Sequence, residues 1–175
     1  MAVRLVVTGQ DRAGKAVVAS DRIVSPTRLD VFPLAEFYLL WGSDDPPSLP
    51  SDGGDPPRTA WIPGPHGARF GISVLPAGYG ATSEQPRTGR AEIRAALPGL
   101  AETLAPDVPG MHTTDTIDFV TVISGAITLE VDDDQRIELR SGDCVVQHGN
   151  RHAWRNTGPG PCTLVITMVG AEREG

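Results

Sequence analysis

The chain has 175 residues, with 15 Lys and Arg against 22 Asp and Glu, a formal charge of -7. At 39% hydrophobic and 21% charged it has the make-up of one ordinary globular domain, and its acidity removes any electrostatic reason to bind nucleic acid or an anionic membrane. The 20 Gly and 16 Pro favour many short strands over long helices.

Residues 4–8 and 15–20 are apolar and β-branched, and the Gly- and Asp-rich stretch 9–14 between them predicts a β-hairpin. The chain start lacks the apolar core of a signal peptide and no apolar run reaches membrane-span length, so a cytoplasmic location is expected. Residues 36–41 read as a strand or a short helix. Residues 42–57 hold too many Pro and Gly for either and read as a long surface loop. Residues 69–75 form another strand. Residues 88–105 are the one helical region, and Pro98 splits it into two pieces.

From His112 onward the pattern is continuous β. Strands are expected over residues 118–124, 126–131, 136–140, 144–147, 152–156 and 162–169, with turns between them. The acidic turn 132–134 lacks the spacing of a calcium loop and reads as a solvated hairpin turn. Cys144 and Cys162 are too few for a disulfide framework and are expected as buried thiols. The whole chain, 1–175, reads as a single domain. Residues 1–110 supply N-terminal strands, a loop and short helices, and residues 111–170 supply the β region that carries the chemistry.

Strand alternation puts His112, Thr114, Thr116, Asp118, Val120 and Val122 on one face. A carboxylate facing an apolar interior is costly unless paired or metal-bound. His152 lies on a later strand and shares its face with Trp154 and Asn156. Two histidines and one carboxylate match the facial set used for octahedral metals with open positions. His112, Asp118 and His152 are therefore the candidate metal ligands.

The stretch from His112 to Asn156 resembles the two motifs of the cupin superfamily. In the first motif His112 takes the first histidine position, Thr114 the second, Asp118 the Glu and Gly125 the Gly. In the second, Gly142-Asp143 opens the motif and Gly149, His152 and Asn156 close it. Two departures stand out: Thr114 replaces an imidazole, and Asp118 is one methylene shorter than Glu. The resemblance implies an all-β, cupin-type antiparallel β-barrel or jelly roll with a short helical segment. It also implies a homodimer, a divalent metal ion (Fe, Zn, Mn or Ni) and a small-molecule substrate.

Other polar residues have two readings each. Asp115 is a surface carboxylate, or a further metal or catalytic group if a bulge turns it inward. His148 is an exposed turn residue, or a general base at the barrel mouth. Trp154 is core, or with Thr114 a substrate contact. Arg151 and Arg155 face outward and are expected to pair with outer carboxylates. His66 reads as a loop residue, and Asn156 as a tie for the following loop. Two functions follow. One is a metal-dependent enzyme of the dioxygenase, lyase, dehydratase or isomerase type, acting on an aromatic, polyketide-derived or keto-acid substrate. The other is a non-catalytic small-molecule-binding cupin with a degenerate metal site.

Overall fold

The computed structural model describes residues 2–80 and 89–174. The expected hairpin is present as β1 (Val3–Gln10) and β2 (Ala16–Val24), a separate two-stranded sheet. Val3 on β1 packs with Tyr38 and Leu40, which fastens the hairpin to the main body. The main body holds β3 (Glu36–Ser43), β4 (Ala68–Leu75), β5 (Thr116–Ser124), β6 (Ala126–Val131), β7 (Arg136–Arg140), β8 (Cys144–His148), β9 (His152–Arg155) and β10 (Cys162–Gly170). Residues 36–41 are thus strand, which suits their aromatic content.

One sheet has the order β3-β4-β10-β5-β8 and the other β7-β6-β9, and every pairing is antiparallel. Both sheets feed a single core. Val120, Val122 and Leu164 come from the first, and Ile127, Leu129 and Leu139 from the second. A fully buried aliphatic side chain of this kind contributes roughly 1.5–3 kcal/mol. The outcome is the all-β jelly-roll architecture that the resemblance implies.

On β5 the alternation predicted from sequence is followed: Thr116, Asp118, Val120 and Val122 are buried, while Phe119 is exposed. The turn between β6 and β7 places Asp133 and Asp134 at φ 56° and 55°, a left-handed conformation that Asp tolerates and that suits a tight hairpin. Residue 88, where the helical stretch was expected to begin, lies outside the described residues. The rest forms α1 (Gly89–Ala96) and α2 (Leu100–Thr103). Pro98 separates them, and its carbonyl accepts from the Trp61 amide at 2.6 Å. Ile93, Leu97 and Ala101 bury the helical segment against the core.

The long loop after β3 is anchored from an unexpected place. Arg69 on β4 is completely buried, ion-paired with Asp44, and donates to the carbonyls of Ser43 (2.7 Å), Ala68 (2.9 Å) and Ala60 (3.0 Å). The expectation of two buried thiols is half right. Cys162 is buried, but Cys144 is exposed because its position on β8 falls on the outer face. Among the described residues no helix is long and apolar enough to cross a membrane.

Candidate functional site

The site begins with a cross-strand pair. His112 and His152 form an antiparallel bridge in which each amide donates to the other's carbonyl at 2.9 Å. Residues that exchange both bonds project side chains from the same face. The two imidazoles accordingly lie together, with ring centroids 4.2 Å apart. Each ring is also fixed at Nδ1. His112 Nδ1 is 3.0 Å from the Gly110 carbonyl, and His152 Nδ1 is 3.0 Å from the Asn150 carbonyl. A carbonyl only accepts, so Nδ1 carries the proton and Nε2 keeps its lone pair. Burial lowers both imidazoles below the usual histidine range, His152 to about 3, so both are neutral.

Asp118 approaches from the other sheet, between Met168 on β10 and Gln147 on β8. It is buried, and among the described residues its Oδ1 has no hydrogen-bond partner. Burial raises its carboxyl to about 6, with Thr116 beside it acting in the opposite sense. Thr116 also donates to the Thr114 hydroxyl at 2.7 Å. His112, Thr114, Asp118, His152 and Trp154 all line one interior cavity of about 110 Å³, whose remaining wall is largely apolar and includes Phe37 and Trp61. Trp154 meets the His152 ring edge-on at 6.1 Å. A second cavity of about 360 Å³ shares Tyr79, Leu100, His112 and Trp154 with the first and forms its mouth.

These residues meet the metal expectation only in part. The two imidazoles present the tautomer a metal requires. Among the described residues, however, no group of three or more His, Cys, Asp or Glu side chains is gathered closely enough to hold a metal ion. The histidine pair extends the β7-β6-β9 sheet, Asp118 belongs to the other, and its side chain lacks the reach of Glu. As placed, the side chains do not fit a three-ligand centre.

The two alternative catalytic groups, His148 and Asp115, lie elsewhere. His148 is exposed on the outer face of β8, opposite Ile117, because its neighbour Gln147 takes the inward position. Asp115 is exposed and paired with Arg173 at 2.5 Å; no bulge turns it inward. Arg151 does pair with outer carboxylates, Asp107 at 2.7 Å and Asp132 at 2.9 Å. His66 is an exposed loop residue. Asn156 ties its loop as expected, donating to the Leu75 and Gly160 carbonyls at 2.9 Å each.

The family described as Cupin domain (Cupin_2) matches residues 101–169, which contain the bridge, Asp118 and most of both sheets. This region of the chain belongs to the cupin superfamily. The chain is 44% identical over 48 residues to oryzines biosynthesis cluster protein J of Aspergillus oryzae, 27% of each chain. It is 42% identical over 65 residues to phomopsin biosynthesis cluster protein C' of Diaporthe leptostromiformis, 34% of each chain. The match thus spans about a quarter to a third of the length of these curated relatives. Among solved structures, the chain is similar to the cupin domain of Schizosaccharomyces pombe Cnp3, with 12% identity, 95% of this chain and 87% of that one, and TM-score 0.48.

One cupin-site residue escaped sequence reasoning. Arg155 does pair with a carboxylate, Glu130 at 3.0 Å, but alternation did not show that it also lines the mouth cavity. It sits at the last position of β9, where the outer face of the strand meets the loops around the mouth. Strand periodicity carries no information about those loops.

Proposed function

We propose that this cupin binds a small, mainly apolar, ring-bearing organic molecule between its two sheets, with a hydroxyl or enol of that molecule facing the histidine pair. The observation that carries this reading is the unpartnered Oδ1 of Asp118 in the same cavity as two neutral imidazoles. A buried polar atom without a partner is rare in folded proteins and marks a place where a partner binds. The imidazole Nε2 atoms accept from the ligand's hydroxyl. Asp118, with its carboxyl near 6, either donates or accepts at the opposite side. Phe37, Trp61 and Trp154 supply flat apolar walls for a ring.

Of the two functions left open by the sequence, this is the small-molecule-binding one, with the metal site degenerate. The names of the two fungal relatives refer to biosynthesis clusters, which supports a small-molecule ligand here. We test the reading with 4-ethylphenol as probe. Calorimetry should detect saturable binding to the wild-type protein, and His152→Phe should weaken it by about tenfold, the loss of one good hydrogen bond. Binding that is absent, or indifferent to His152, would refute the proposal. Incubation with Fe, Zn, Mn and Ni ions in turn, followed by gel filtration and elemental analysis, should leave no stoichiometric metal. Retention of one ion per chain that His112→Ala abolishes would return the site to the metal-dependent reading.

The homodimer expectation is carried into the same proposal. Phe119, Ile123 and Val146 are each about half exposed on the outer face of β5 and β8, with Phe119 directly opposite Val146. Exposed apolar side chains on an edge strand and its neighbour form the kind of surface a second copy of the chain would cover.

A further inference from the structure

The mouth cavity is lined by apolar side chains and loop backbone, with a single arginine among them. Val31, Phe32, Leu34, Leu100 and Leu104 supply much of its wall, and Arg155 is the one Lys, Arg, Asp or Glu among its described lining residues. A guanidinium in such surroundings is held for a reason that packing does not supply.

Its position is fixed from two sides. Nε donates to Glu130 at 3.0 Å, and Nη1 donates to the carbonyls of Gly80 and Pro109 at 2.7 Å each. The loop at Gly80 comes so close that a Cβ there would stand 2.6 Å from the Trp154 carbonyl, so only glycine permits this contact. The head group therefore links two loops that frame the mouth. Nη2 makes no hydrogen bond among the described residues. Glu130 does not cancel the charge, because it also faces Arg136 at 3.6 Å. The three side chains together keep one positive charge.

We propose that Arg155 reads a carboxylate on the ligand, which makes the preferred ligand class a phenolic or enolic acid with an apolar body. This rests on the cavity reading above and deepens it. The ring occupies the space between Trp154 and the sheets, the hydroxyl meets the histidine pair, and the carboxylate stays at the mouth. Arginine suits that task because it is always charged and its nitrogens match the plane of a carboxylate.

The test uses the wild-type protein and three phenolic acids, with one, two or three methylenes between a 4-hydroxyphenyl ring and the carboxylate, each compared with its primary amide by calorimetry. At least one acid should bind about tenfold more tightly than its amide, equivalent to about 1.4 kcal/mol. That advantage should shrink as salt rises from about 0.05 M to about 0.5 M. In Arg155→Gln the acid should lose its advantage, so that acid and amide bind with equal affinity. Acid and amide binding equally to the wild type would overturn the role of Arg155 and leave the cavity reading standing. Binding of neither would overturn both. An acid preference that survives in Arg155→Gln would place the anion contact elsewhere and overturn the inference. If that variant fails to fold, the acid and amide comparison in the wild type decides alone.

Discussion

His112 and His152 stand directly opposite each other, joined by two reciprocal backbone hydrogen bonds of 2.9 Å, and this bridge brings their imidazoles together, tilted by 51° with centroids 4.2 Å apart. They are 40 positions apart in the sequence, and backbone pairing brings their rings together. Each Nδ1 is then occupied by a local carbonyl, two residues earlier in the chain in both cases. The arrangement yields two neighbouring, outwardly similar acceptors. Two buried cations at that distance would repel, which adds to desolvation in keeping His152 neutral.

The first prediction concerns these tautomers. Long-range ¹H–¹⁵N correlation spectra of histidine-labelled protein should show Nδ1-protonated, Nε2-unprotonated rings for His112 and His152 at neutral pH. For His152 the pattern should persist to about pH 5, since burial takes its imidazole down to about 3, and His112 should take up its proton below the usual histidine value of about 6.5. An imidazolium signal from His152 at about pH 6 would contradict the assignment.

Asp118 gives a prediction of opposite sign. Its folded-state carboxyl is raised from 3.8 to about 6 by burial, so the native protein binds its proton more tightly than the unfolded chain does. Stability from this group is present in full below about pH 4 and is lost as pH rises through 6. Asp118→Asn cannot ionise. It should be more stable than the wild type at about pH 7.5, by on the order of 2–3 kcal/mol, with the gap closing below about pH 4. Urea unfolding at several pH values measures this directly, and a pH-independent difference would show that ionisation is not the cause.

Arg69 should be the costliest single loss outside the core. Arg69→Met removes the partner of Asp44 and strands three carbonyls, those of Ser43, Ala60 and Ala68. Asp44 is partly exposed, so water recovers some of its share. The expected loss is about 2–4 kcal/mol by urea unfolding. A loss within about 0.5 kcal/mol would mean that the loop after β3 is held by other contacts.

The two cysteines should separate in reactivity. Cys144 is exposed, whereas Cys162 is buried and its thiol is pushed up to about 11 by desolvation. A chromogenic disulfide reagent should titrate one thiol in the native protein and the second only on unfolding, and Cys144→Ser should abolish the fast reaction. Two fast thiols, or none, would be inconsistent with the placement of β8.

Much of this architecture was legible in the sequence because strand periodicity is a local signal. Thr116, Asp118, Val120 and Val122 fell on the buried face, as alternation required, and Pro98 divided the helical stretch where a missing amide hydrogen demands it. Burial of both His152 and Asp118 was readable for the same reason. Their separation was not. Alternation says which face a side chain takes, but not which sheet a segment joins, and residues 113–115 carry the chain from the histidine bridge to the other sheet. The resemblance to the cupin motifs supplied ligand positions without that geometry. His148 and Gln147 show the limit at one-residue resolution, since the inward position went to the amide. Arg155 and Arg69 were missed because loop-to-strand contacts distant in sequence hold both.

The most direct test of the cavity as a ligand site is the side-chain ¹H–¹⁵N spectrum of the four histidines, recorded with and without 4-ethylphenol. The account predicts that the Nε2 resonances of His112 and His152 move together and saturably, as expected for acceptors that gain a hydrogen bond, while His148 and His66 on the outer surface stay fixed. Unchanged His112 and His152 resonances at saturating probe, or shifts confined to His148 and His66, would contradict it.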